Sequence, residues 1–147
     1  KIDNSQFASV EKVCLNEILY RYWDDYQEVY DYKGITLDVH EKNTFNITMN
    51  GTLAVVLITN LLKNAFVHNI YKGKIQIEIT SSNIRFGNTG KDEHLDEKHI
   101  FERFYQGSKK EGSTGLGLAI VDAICRQSQL SIQYQFVKGW HWFDISC

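Results

Sequence analysis

The chain has no proline, a single methionine and three cysteines in 147 residues. The missing proline assigns no function. Cys14, Cys125 and Cys147 form an odd set without a CxxC pair, which argues for a reducing compartment and against a zinc site. No apolar run approaches the roughly 18 residues of a membrane span, and no signal-peptide pattern opens the chain. Charge of one sign is lacking too: 16 Lys and Arg against 18 Asp and Glu leave a formal net charge of −2. That excludes the basic footprint of a nucleic-acid binder. What remains is the material of an ordered domain, with 43% hydrophobic and 23% charged residues. The length fits one domain over residues 1–147.

Helical spacing runs over residues 9–31, where Leu15, Leu19, Tyr22, Tyr26 and Val29 recur three or four apart. The aromatic run YRYWDDYQEVYDY reads as packing rather than as a ligand site. Lys33-Gly34 ends this helix, ITLDVH alternates like a strand, and FNITM reads as a second short one. Residues 51–68 form the next helix. KIQIEIT and IRF make a hairpin across SSN. From Gly87 to Thr114 the chain is rich in Gly, Lys, Asp and Glu, and only HIFERFY looks locally ordered. Helical spacing returns at Leu116, Ile120, Ala123 and Ile124. Two strands, 130–137 and 140–146, then flank a turn at Lys138-Gly139. Helices and strands are partly segregated, which predicts an α+β two-layer sandwich: a mixed sheet of about five strands packed on three main helices.

The helix over 51–68 carries an anomaly. In NLLKNAFVHN, Asn60, Asn64 and His68 stand four apart among leucines. At 3.6 residues per turn such positions drift by only about 40° per step and share one stripe. Leu57, Leu61 and Ala65 hold the adjacent stripe and are expected to face the sheet. Asn is costly if buried without partners. A polar stripe beside a buried one belongs either to solvent or to the edge of a cavity. There an amide oxygen is a hard ligand suited to Mg²⁺.

Two glycine-bearing segments follow. EGSTGLGLAI packs three glycines into residues 112–117, immediately before a helix. Backbone N–H groups and the helix dipole can make such a junction an anion site. A plain flexible turn has the same composition. It is not a Walker A loop, since no GK[ST] follows, and Ile120 stands where a Rossmann fingerprint needs its third glycine. RFGNTG, residues 85–90, ends a strand and opens a loop of more than twenty residues, a length usually functional or disordered. Asn88 and Gly90 sit at its root, although both residue types also suit an ordinary turn.

In order and spacing, NLLKNAFVH, NTG, IFERFY and GSTGLGLAI resemble the N, G1, F and G2 boxes of the ATP-binding catalytic domain of bacterial sensor histidine kinases. This is the GHKL, or Bergerat-fold, superfamily of the gyrase, heat-shock ATPase and mismatch-repair ATP sites. The resemblance runs from about Ser5 to Cys147, with FERFY its most specific part, and residues 1–7 look like the tail of the preceding dimerisation helix. It implies ATP and Mg²⁺ as ligands and γ-phosphoryl transfer to a histidine, in two-component signalling. By similarity Asn64 coordinates the metal, and Asn60 and His68 lie near phosphate or ribose. Asn88, Thr89 and Gly90 border the adenine. Thr114, Gly115, Leu116 and Gly117 meet the phosphates. Residues 91–114 are the mobile lid, packed by Phe101 and Phe104, with Lys109 and Lys110 either reaching the phosphates or simply solvated. The implied partners are the dimerisation and phosphoacceptor domain and a response regulator, and no nucleic acid. The implied setting is the cytoplasmic part of a membrane-anchored sensor, dimeric when whole and monomeric as this domain alone.

Three positions depart from the family's pattern. Asn88 stands for the usual Asp, Asp92 for a glycine, and Val67 for a frequent lysine. An amide both donates and accepts, so losing the carboxylate predicts weaker discrimination of adenine from guanine. HEKNT, residues 40–44, imitates the acceptor box. His40, however, ends a strand-like run, whereas the acceptor lies on a long helix followed by proline. Two other readings stand beside this one. One is a serine-directed anti-sigma-factor kinase, against which FERFY argues. The other is a degenerate, non-catalytic docking module, which the three departures motivate.

Overall fold

The computed structural model describes residues 9–90 and 117–147. Its elements in chain order are β1 (Glu11–Cys14), α1 (Leu15–Val29), a 3-10 turn (Asp31–Lys33), β2 (Thr36–Glu41), β3 (Asn46–Met49), α2 (Gly51–Val67), β4 (Lys74–Ile79), β5 (Asn83–Thr89), α3 (Gly117–Gln127), β6 (Ser131–Val137) and β7 (Trp140–Ser146).

Alternation builds the main sheet. Along β4, Ile75, Ile77 and Ile79 are buried while Lys74, Gln76 and Glu78 take the more open face. Its five strands run β2-β4-β5-β7-β6. β2 lies parallel to β4, and the other neighbours are antiparallel. The β6–β7 hairpin turns on Lys138 (φ 49°) and Gly139 (φ 82°). Two residues in the left-handed region match a tight turn to the strand twist. Isoleucines of β4, Phe86 of β5, and Phe143 and Ile145 of β7 meet Leu57, Ile58, Leu61 and Phe66 of α2 in one core. The helices cover one face, as the α+β two-layer reading requires.

The structure corrects the sequence reading at two places. Residues 11–14 are not helical. They form β1 and pair with β3 in a separate two-stranded antiparallel sheet, in register from Glu11↔Met49 to Cys14↔Asn46. The helix begins only at Leu15, whose N–H bonds the Phe45 carbonyl at 3.0 Å. Pairing with a distant segment overrides local spacing there. The buried stripe of α3 meets the expected one only at Ile124: Val121, Ile124 and Cys125 face the core, Ile120 is 40% exposed, Ala123 is exposed, and Leu116 lies outside the described residues. Both sets are spaced three and four apart, so periodicity alone does not fix the phase. In α1 the expected stripe stops short of Val29, which is 65% exposed. Its aromatics Tyr22, Trp23 and Tyr26 do pack on the core.

A lysine closes the far end of α2. Lys33 is buried, and its Nζ donates to the carbonyls of Phe66 and Val67, both at 2.9 Å, and to that of Asn69 at 3.4 Å. The last turn of α2 has no basic residue of its own. Lys33 therefore supplies the positive charge that the negative end of the helix dipole favours. Tyr30 stacks on Phe66 beside it, 5.6 Å between ring centroids.

The three thiols are unpaired: Cys14 is half-buried, Cys125 buried and Cys147 exposed. Burial, and secondarily the Asp122 carboxylate, pushes the Cys125 thiol up to about 12. At pH 8 a thiol reagent is therefore expected to label Cys147 in the folded protein and Cys125 only on unfolding; fast native labelling of Cys125 would contradict this packing. Lys33→Met is expected to lower the unfolding free energy by about 2 kcal/mol, the range for hydrogen bonds to a charged group. An unchanged urea midpoint would show that the cap contributes nothing.

Candidate functional site

Helix α2 places the candidate site. Asn50 caps its start, the side-chain oxygen accepting the Leu53 N–H at 3.0 Å. Leu57, Leu61 and Ala65 are buried, while Asn60, Asn64 and His68 are all half-buried on the neighbouring stripe. The two asparagines differ. Asn60 Nδ2 donates back to the Val56 carbonyl at 2.8 Å, so its amide is tied to its own helix. The Asn64 side chain makes no hydrogen bond among the described residues, although it is half-buried. α3 begins against Asn60: a Cβ on Gly117 would lie 3.2 Å from Asn60 Oδ1.

At the other end, α2 is joined to the sheet by a residue that the sequence reading passed over. Asn69 is buried. Its Nδ2 donates to the carbonyls of Ala65 (3.2 Å) and Lys74 (3.0 Å), and its Oδ1 accepts from the Ile70 N–H (2.9 Å) and Thr89 Oγ1 (2.7 Å). Thr89 Oγ1 in turn accepts from the Lys74 N–H at 2.9 Å. One amide thus links the end of α2, the start of β4 and the end of β5. Thr89, expected near adenine, spends its hydroxyl on this knot.

Asn88 and Gly90 complete the end of β5. Asn88 is 2% exposed and lies opposite Ile75 of β4 and His141 of β7. Its Nδ2 donates to the Thr89 carbonyl at 2.9 Å. Gly90 sits where a side chain would be crowded: a Cβ there would lie 3.1 Å from both His141 Cδ2 and the His68 carbonyl oxygen. His141, 5% exposed, was also missed. The period of two in WHWFDIS puts it on the inner face with Phe143 and Ile145, a signal that was present in the sequence.

The structure therefore brings Asn88, Thr89, Gly90 and His68 to one end of α2, and Asn60 to the start of α3 at Gly117. Phe101, Phe104, Lys109, Lys110, Thr114, Gly115 and Leu116, and the expected lid over 91–114, lie outside the described residues. Val67 is 3% exposed. Among the described residues no group of three His, Cys, Asp or Glu side chains could hold a metal. A cavity of about 450 Å³ between β1, α1 and the start of α2 is lined by Glu11, Lys12, Glu17, Arg21 and Thr52 and includes none of the candidate residues. His40 is exposed and lies on strand β2, not on a helix.

A two-layer sandwich here sets a polar helix stripe between the end of β5 and the glycine at which α3 begins. The sequence profile described as histidine kinase-, DNA gyrase B- and HSP90-like ATPase matches residues 49–141, and the chain belongs to that family. Its relatives include one named as a sensor histidine kinase and others named as heme sensor proteins. RppB of Synechocystis is 36% identical over 94 residues, covering 56% of this chain and 21% of that protein. HssS of Staphylococcus aureus is 29% identical over 140 residues, covering 91% of this chain and 30% of that one. The chain thus spans less than a third of the curated relatives it matches. The catalytic domain of histidine kinase ThkA superposes with a TM-score of 0.78 at 20% identity, covering 93% of both chains. ThkA in complex with the response regulator TrrA superposes at 0.73 and 20% identity, over 92% of this chain and 40% of that one. No helix of the described residues is long and apolar enough to cross a membrane.

Asn69→Ala removes four hydrogen bonds made by a buried side chain. It is expected to cost about 2–3 kcal/mol of stability. A denaturant midpoint like the parent's would show that α2 and β5 are held together by other means.

Proposed function

We propose that this domain binds ATP with Mg²⁺ and donates the γ-phosphoryl group to a histidine on a separate dimerisation domain, in two-component signalling with a response regulator. The observation that carries the reading is the polar stripe of α2. It runs from Gly117 to the Asn88–Gly90 strand end, with Asn64 half-buried and uncommitted between them. Asn64 fits Mg²⁺ in donor chemistry, since its amide oxygen is hard and bound by nothing else described. With no carboxylate cluster among the described residues, the remaining ligands would be phosphate oxygens and water. The ion, when bound, neutralises triphosphate charge. Asn60, fixed to Val56, shapes the wall beside it. His68 lies toward phosphate or ribose. Gly117 and its neighbours Thr114, Gly115 and Leu116 offer backbone N–H groups to the phosphates, with Lys109 and Lys110 approaching from residues 91–114. Asn88 and Gly90 take the base. Transfer of this kind asks a protein chiefly for positioning and charge stabilisation.

The domain alone is a monomer in this reading, because the dimer contacts belong to the histidine-bearing helices, and its place is the cytoplasmic part of a membrane-anchored sensor. A second reading, a docking module without transfer, is favoured by Val67. A buried valine stands where the family often has a lysine, and one phosphate-binding charge goes with it. Kinase relatives favour the histidine-directed reading over a serine-directed one.

Asn64→Ala is expected to abolish Mg²⁺-dependent ATP binding in calorimetry while shifting stability by less than about 0.5 kcal/mol, since its side chain supports nothing in the fold. Parent-like Mg-ATP affinity in this variant would remove Asn64 from the metal site.

A further inference from the structure

We infer that the exposed aromatic face where α1 and α2 end together is a docking surface for a partner-protein segment that presents arginine beside an apolar side chain. The inference needs no bound nucleotide.

The aromatic run of α1 reads in sequence as packing, and Tyr22, Trp23 and Tyr26 do pack on the core. Beyond them the rings climb out of it. Tyr30 stacks on buried Phe66 at 5.6 Å between centroids, Tyr32 lies 6.4 Å from Tyr30, and Tyr71 meets Tyr32 edge-on at 6.2 Å. The ladder ends in solvent, with Tyr32 65% and Tyr71 68% exposed. Val29 and Ile70, next in the chain to Tyr30 and Tyr71, are exposed too. Single exposed apolar residues need no explanation, whereas a cluster marks an interaction site, and tyrosine is favoured at such sites. The face is also held in place. The Lys72 N–H donates to the Lys33 carbonyl at 2.6 Å and the Thr36 N–H to the Gly73 carbonyl at 3.0 Å, which latches the turn after α2 to the turn after α1. A surface already fixed loses less conformational entropy on binding.

Charge names the occupant. Tyr30 and Phe66 also line a cleft of about 250 Å³, which Asp24, Glu28 and Asp31 border. Small-molecule sites run to roughly 300–1,000 Å³, so this cleft suits one long side chain. None of the three carboxylates makes a hydrogen bond or ion pair among the described residues. Asp24 and Glu28 stand four apart near the C-terminal end of α1, whose last turn has no basic residue, and Asp31 follows. Like charges at that spacing repel, and the negative end of the helix dipole disfavours all three. Lys33 turns its Nζ inward to the α2 carbonyls. Lys72, whose stem passes Gly34 beside the cleft, is one cation against three carboxylates. An incoming arginine offsets the repulsion and lays its planar guanidinium on a tyrosine ring, while its apolar neighbour covers Tyr71 and Ile70. Lysine brings the charge without the plane.

The test is an NMR titration of the isotope-labelled, nucleotide-free protein with the capped peptide Leu-Arg-Phe-Arg-Leu and its lysine and glutamate counterparts. The arginine peptide is expected to shift backbone amides of residues 24–35 and 70–73, and to bind several-fold more tightly than the lysine peptide. The glutamate peptide should shift none of them. Raising salt from about 0.05 M to about 0.5 M should weaken the arginine peptide several-fold. Asp24→Asn with Glu28→Gln, and separately Tyr32→Ser with Tyr71→Ser, should each lose roughly tenfold in affinity. The charge variant should melt no lower than the parent; a lower melting point would make these carboxylates part of the fold and count against the inference. No shifts at millimolar arginine peptide, shifts confined to other residues, equal binding of the lysine or glutamate peptide, or parent-like affinity in both double variants would each overturn it. So would broad lines of the free protein that sharpen on dilution, which would put a second copy of the chain on this face. With no nucleotide present, none of these outcomes bears on the ATP reading.

Discussion

Everything at the site depends on how the C-terminal end of α2 is held. A helix can turn about its axis or slide along it, and its polar stripe would then face the core or open water. Two buried side chains oppose this. Lys33 reaches back from the end of α1 to the last carbonyls of α2, and Asn69 ties the same end to β4 and β5. Both act on polar backbone groups that would otherwise be buried without partners, so each bond is costly to lose. The consequence is geometric: Asn60, Asn64 and His68 lie at the rim of the sandwich, between the end of β5 and the start of α3.

That rigidity suits the proposed chemistry. Phosphoryl transfer needs the triphosphate positioned and its charge offset, with little covalent participation by the protein. A fixed wall of backbone and amides beside a bound triphosphate would serve that need. The site is polar but nearly free of charge among its described members. Asn60, Asn64, Asn88 and Gly117 are neutral, so under the proposed function a bound ion would carry charge compensation. The chain's three departures from its family then read differently from one another. Asn88 ties its amide nitrogen to the Thr89 carbonyl, Val67 is absorbed into the packed interior, and Asp92 lies outside the described residues.

What could be read from the sequence was local and periodic. The isoleucine alternation of β4, the paired polar and apolar stripes of α2, the Lys138-Gly139 turn and the placing of Asn88 at a strand end all follow from spacings of two or 3.6 within a few residues. What could not be read depends on long-range pairing. β1 is four residues long and exists as a strand only because β3 lies beside it. The phase of α3 was ambiguous because two apolar stripes had equally good spacing. Lys33 looked like a helix terminator, and its partners, Phe66 and Val67, stand 33 and 34 residues away. Asn69 adjoined a recognised polar stripe but belonged to a knot rather than to the stripe. His141 comes to lie opposite Asn88 only through the register of β5 and β7.

The central claim is phosphoryl transfer by a domain that must borrow its acceptor. The most direct measurement joins the chain to a histidine-bearing helical dimerisation domain and follows label from γ-phosphate-labelled ATP, with and without Mg²⁺. The account predicts Mg²⁺-dependent protein labelling that survives base and is lost in acid, as phosphohistidine is, and that disappears when the acceptor histidine is replaced. ATP bound tightly with no label transferred would contradict it, and would leave a nucleotide-binding module that signals by docking alone.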